Sequence, residues 1–188
     1  MSPDRDRDRD PVGRPRNARP RDALGRPLDR AGAGAGTAAG AGDGAGAGTG
    51  LGEDRIPDDL RLAGPDAARL ADELLRAGRP FHAHEVLEAS WKTGPAGERD
   101  LWQGLAQIAV GLTHAHRGNA RGAVALLRRG AERVRAYQAA SPAGTRPYEM
   151  DLAAFLAASD DLAARIDRDG LAGIPAADLR PGLTVAER

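Results

Sequence analysis

The chain contains no cysteine. That excludes disulfides, thiolate metal sites and cysteine nucleophiles, and any metal would have to be held by histidine and carboxylate. Only four histidines are available: His82, His84, His114 and His116. Aromatic residues make up 3% of the chain, so a core must close by tight packing of alanine and leucine rather than by bulk. Lysine is almost absent, with Lys92 the single example among many arginines. Together with abundant Ala and Gly this reads as coding bias, which weakens arginine count as a sign of phosphate binding. No apolar run approaches the roughly 18–20 residues that span a bilayer. The N-terminus also lacks the apolar stretch of a secretory signal. A cytoplasmic protein with no membrane partner is the expectation. The formal net charge is zero, so bulk charge selects neither nucleic acid nor an anionic surface.

The first 55 residues read as a disordered tail in three parts. Asp4–Asp10 alternates acid and base and has nothing to bury. Gly13–Arg30 carries six arginines against Asp22 and Asp29, a net of +4, and its prolines forbid a continuous helix. This Arg14–Arg30 stretch suits an acidic protein partner or RNA, although it offers no aromatic side chain to stack on bases. Ala31–Gly52 is almost pure Ala and Gly, a flexible spacer.

From Ile56 the pattern becomes helical, and residues 56–170 are expected to form one all-α domain. Five helices are predicted: Pro65–Ala77, Pro80–Lys92, Ala96–Arg117, Ala120–Ala139 and Asp151–Arg168. Each begins or ends on a physical signal. Pro65 and Pro80 suit a first turn, Gly78 and Gly118 suit a stop, and Asn119 suits an N-cap. Leu101, Leu105, Ile108 and Leu112 recur at helical spacing and mark the core stripe of the third helix. The short joins imply antiparallel hairpins, hence a compact bundle. Residues 171–188 are expected to be loose or to lie on the surface.

One set of residues is more polar than a bundle core requires. On the second helix His84, Glu88 and Trp91 share a face, with Glu85 at its edge, while His82 points away and is expected to be solvated. On the third helix Arg99, Gln103, Gln107, Val110 and His114 form a second stripe. If the two helices pack antiparallel, these stripes meet in a seam. Buried unpaired polar groups cost about 1–3 kcal/mol each, so pairing of Glu88 with Arg99 or Gln103, and of His84 with Gln107, is expected. Such a network can serve only to fix helix register. It can also form a binding site for a protein or small molecule. A third reading is a metal-assisted or acid–base enzyme, hydrolase-like, centred on His84 and Glu88, with His114 as a further ligand. His84-Glu85-x-x-Glu88 is not the zinc-protease motif, because Glu replaces its second His. No nucleophile motif, phosphate loop or dinucleotide fingerprint is present, so no cofactor is expected.

The same residues carry a family likeness. The runs His84-Glu85-Val86-Leu87-Glu88-Ala89-Ser90-Trp91, Arg99 to Gln107 with Ile108-Ala109, and Gly118-Asn119-Ala120-Arg121-Gly122-Ala123 occur in that order. They resemble the bacterial and archaeal domain-of-unknown-function family 309, whose pattern is roughly HExLExxW, R-x3-QGLIQ-x-A and GN-x2-GA. The resemblance implies a compact all-helical fold and supplies no reaction. By position His84, Glu85, Glu88, Trp91, Arg99, Gln103, Gln107 and Asn119 match motif residues. Ala106 departs from the pattern, standing where a larger aliphatic is usual, which implies a packing change.

Overall fold

The computed structural model describes residues 61–142 and 144–184; the tail readings above lie outside the described residues. Five helices follow one another: α1 (Gly64–Arg76), α2 (Pro80–Thr93), α3 (Arg99–His116), α4 (Ala120–Ala140) and α5 (Leu152–Asp169). Among the described residues, the only β-type pairing is an isolated bridge between Met150 and Thr184. The five helices lie close to their predicted bounds. The main difference is at α3, where Ala96–Glu98 forms a separate 3-10 turn before the helix. Pro95 and Gly97 disfavour a full α-turn there.

Two of the joins close in the same way. Gly78 adopts φ 71° and Gly118 φ 77°, the left-handed region that glycine enters without a Cβ penalty. The next residue then donates back across the helix end: Arg79 N–H to Leu74 O at 2.8 Å, and Asn119 N–H to His114 O at 2.9 Å. Each chain reversal is therefore sharp, and α1–α2 and α3–α4 form antiparallel hairpins. At the start of α4 the Asn119 side chain accepts from Gly122 N–H at 2.9 Å, as its predicted capping role requires. Asp151 caps α5 in the same way through Ala154 N–H.

Helix α3 is the centre of the bundle. It packs on α2 and on α4; α1 covers α2 and α5 covers α4. Leu101, Leu105, Ile108 and Leu112, the predicted stripe, are all buried. They meet Leu127, Val134, Phe155 and Ile166 in one core. Trp102 is the largest fully buried side chain. Small residues bring α3 and α4 together. A Cβ built on Gly130 would lie 2.6 Å from Gly104 O and 2.9 Å from Ile108 N, so the two backbones are nearly in contact.

The segment after Gly170 lies along the bundle and is fastened there by one carboxylate. Asp72 of α1 accepts Leu183 N–H at 2.6 Å, Thr184 N–H at 3.1 Å and the Thr184 hydroxyl at 2.8 Å. Arg76 Nε donates to the same carboxylate at 2.8 Å and its terminal nitrogen to Thr184 O at 3.0 Å. Leu183 is completely buried as a result.

Candidate functional site

On α2 the buried face is formed by Pro80, His82, Ala83, Val86, Leu87 and Ser90. His82 is therefore core, with 1% of its surface exposed, and the expectation that it is solvated is corrected. A wheel that places His84 on the inner side leaves His82 on the other flank. That flank is covered because α2 is packed by two helices, α1 and α3, rather than one. Phe81 lies edge-on between the two imidazoles, with ring centroids 5.8 Å from His82 and 6.2 Å from His84.

His84, Glu85, Glu88 and Trp91 are half-buried. His84 Nε2 stands 3.8 Å from Glu88 Oε2, beyond hydrogen-bond range. Glu88 Oε1 is held by Lys92 Nζ at 3.1 Å, one turn further along the helix. Glu88 thus takes an ion-pair partner on its own helix. The expectation had looked to Arg99 or Gln103 instead. Trp91 packs against the edge of the core. Burial lowers the His84 pKa from its usual 6.5; Glu88 opposes that shift and Lys92 reinforces it. This direction favours the neutral imidazole ring. Its Nδ1 is buried with no hydrogen-bond partner.

On α3 every residue between Leu101 and Ala115 is buried except Gln103, Gln107, Val110 and His114, which are half-buried. These are four of the five residues of the predicted second stripe. The fifth, Arg99, is exposed at the start of the helix. Gln107 Oε1 is buried without a partner, so it does not pair with His84 as expected. His114 reaches the α4 corner: its Nδ1 accepts from Asn119 Nδ2 at 2.7 Å. A Cβ on Gly122 would fall 2.5 Å from the same His114 nitrogen, which explains why glycine stands there. Further along α4, Arg133 donates to Asp100 Oδ1 at 2.7 Å while its Nε is buried and unpartnered.

The polar residues thus fall into local groups: His84, Glu88 and Lys92 on α2; His114, Asn119 and Gly122 at the α3–α4 corner; Asp100 and Arg133 across α3 and α4. Among the described residues no group of three or more His, Asp or Glu side chains stands close enough to hold a metal ion. The His84, Glu88 and His114 metal set is not assembled. Among the described residues, no helix is long and apolar enough to cross a membrane.

Sequence reasoning missed three contributors. Arg133 was indistinguishable from the other α4 arginines, since only the α3–α4 register brings it to Asp100. Asp72 carries no local signal of the C-terminal segment that it binds. Glu98 carries no signal of its partners either; it accepts from Trp102 Nε1 at 2.8 Å and from the Tyr148 hydroxyl at 2.6 Å, joining the start of α3 to the α4–α5 linker. Tyr148 also stacks on Trp102 with centroids 5.5 Å apart, and burial with the Glu98 bond pushes its pKa up to about 12.

Residues 69–126 match the family model for the domain of unknown function DUF309, the family that the three motifs resemble. The match holds all nine candidate residues, from His84 to Asn119. No curated protein matches the chain. No solved structure matches it either.

Proposed function

We propose that the helical domain is a binding module whose ligand surface is a polar groove over the outer stripe of α3. Gln103, Gln107, Val110 and His114 form its floor. The borders follow from packing order and helix handedness. Helix α3 has α2 on one side and α4 on the other, both running antiparallel to it, with α1 and α5 beyond them. At about 100° per residue, a right-handed helix in the place of α2 turns His84, Glu88 and Trp91 toward the open side. The same construction turns Gly122, Leu126 and Arg133 of α4 toward it. For α4 this agrees with the Gly122–His114 and Arg133–Asp100 approaches.

The observation that carries the reading is that polar atoms bordering this groove are buried without partners: His84 Nδ1, Gln107 Oε1 and Arg133 Nε. A network that served only helix register would pair such atoms with one another, because each unpaired one costs about 1–3 kcal/mol. Unpaired polar atoms on three adjacent helices are groups that a bound molecule can complete. Binding is favoured over the acid–base reading by the chemistry of the pair. Glu88 is held by Lys92, and His84 lies outside hydrogen-bond range of it.

The test is a screen of neutral, anionic and cationic fragments against the full-length ¹⁵N-labelled chain. Saturable amide shifts should concentrate on residues 84–91, 103–114 and 122–133. Shifts scattered over α1 and α5, or none that saturate, would overturn the proposal.

A further inference from the structure

The C-terminal segment is held in the manner of a bound peptide. Every backbone N–H and C=O of Leu183 and Thr184 is bonded, and each partner lies on the helical body. Asp72 of α1 takes both N–H groups. The Asp151 N–H, at the start of α5, donates to Leu183 O at 3.0 Å, and Arg76 of α1 donates to Thr184 O at 3.0 Å. The Leu183 side chain is the apolar anchor and is completely enclosed. A chain read through its main chain, with a side chain in a pocket, is the arrangement by which proteins take extended peptides.

The receiving half is assembled without the segment. Asp72 and Arg76 sit one turn apart on α1 and pair with each other at 2.8 Å, which fixes both groups. The Asp151 side chain caps α5 through Ala154 N–H, which fixes the direction of its own N–H. The connection to the clasp is lightly held. It leaves α5 at Gly170, where φ is 73°, and Ala172, Gly173, Pro175, Ala176, Ala177 and Arg180 are exposed. Asp178 pairs with Arg165 at 2.7 Å between partly exposed side chains, a kind of contact that contributes little. Leu171, Ile174 and Leu179 rest half-buried on the edge of the core. The packing of helix on helix does not pass through this segment.

The clasp also selects. A Cβ on Gly182 would collide with the Arg76 guanidinium. That group is pinned between Asp72 and Thr184 O, so it cannot swing away without breaking the clasp. The Thr184 hydroxyl donates to Asp72 Oδ2 at 2.8 Å, a bond that only threonine or serine supplies at this position.

We infer that the clasp of Asp72, Arg76 and Asp151 is a binding site for an extended segment of a partner protein with the pattern Gly–Leu–Thr, and that the chain's own C-terminal segment occupies it in competition. Tethering gives that segment a roughly millimolar effective concentration, so a partner displaces it only by binding more tightly or by being held close. The clasp shares no residue with the groove over α3, so either site can fail alone.

The probe is a fluorescent peptide of residues 177–188, titrated into the full-length chain and into full-length Leu183→Asp. This substitution withdraws the anchor of the tethered segment and leaves Asp72, Arg76 and Asp151 in place. Saturable anisotropy is expected with Leu183→Asp, and at least tenfold weaker binding with the wild type, where the tethered copy competes. Adding Arg76→Met to the variant should weaken binding at least tenfold, as should Gly182→Ala or Thr184→Val in the peptide. Circular dichroism and cooperative urea unfolding verify that each variant is folded. Gly182→Ala in the full-length chain replaces Leu183→Asp if the latter is not. Failure of both to fold would overturn the inference, because the segment would then be an indispensable part of the core. No saturable binding to a folded variant would overturn it too, and equal affinity for variant and wild type would place the peptide elsewhere and do the same. Binding indifferent to both peptide changes would overturn the Gly–Leu–Thr class.

Discussion

Asp72 shows how much a single carboxylate can organise. It accepts from two backbone N–H groups and a hydroxyl of the C-terminal segment while paired with Arg76. Burial raises its pKa, but the bonds from Arg76, Thr184 and Leu183 outweigh that and hold it below the usual 3.8. The sign follows from linkage. A carboxyl whose folded pKa is depressed contributes stability that is present above the unfolded value and lost as pH falls through the folded one. Asp72→Asn should therefore cost about 1.5–3 kcal/mol near neutral pH, the range of hydrogen bonds to charged groups. Urea unfolding at several pH values checks this. The gap between wild type and variant should be constant above pH 5 and narrow below the ordinary aspartate range. A gap independent of pH would mean that the negative charge plays no part.

At the scale of elements, the α3–α4 contact depends on glycine. The Gly130 backbone lies so close to Gly104 O and Ile108 N that a methyl group has no room, and backbone cannot rotate away as a side chain can. Gly130→Ala should destabilise the domain by about 1–3 kcal/mol through overpacking, despite the better helix propensity of alanine. Thermal unfolding checks this; a raised midpoint would show that the helices separate freely. The helices themselves were legible in the sequence, because proline, glycine and Asn119 mark their ends and leucine spacing marks their inner faces. Contacts between elements were less so. Nothing local distinguishes Arg133, which meets Asp100, from Arg129, which is exposed. His82 was misread for the same reason: one helix wheel cannot tell that two neighbours cover the face. The two stripes of the candidate site were visible as periodic polar positions, whereas their open atoms depend on rotamers that a sequence does not encode.

For the whole molecule, the packed body and the Arg-, Ala- and Gly-rich stretches before it are expected to be energetically separate. Those stretches carry almost no apolar surface to bury. Deleting residues 1–52 should leave the thermal midpoint of the domain unchanged, as followed by scanning calorimetry; a large drop would mean that they pack on it. Function is expected to reside in the body, on the one side of α3 that its neighbours leave partly open. The most direct measurement is the unfolding free energy of Gln107→Met in urea. If Oε1 is held open for a ligand, the free protein bears the cost of an unsatisfied acceptor, and replacing it with an apolar chain of similar length leaves stability equal or higher. A loss of more than about 1 kcal/mol would instead show that Gln107 makes a bond the folded protein needs.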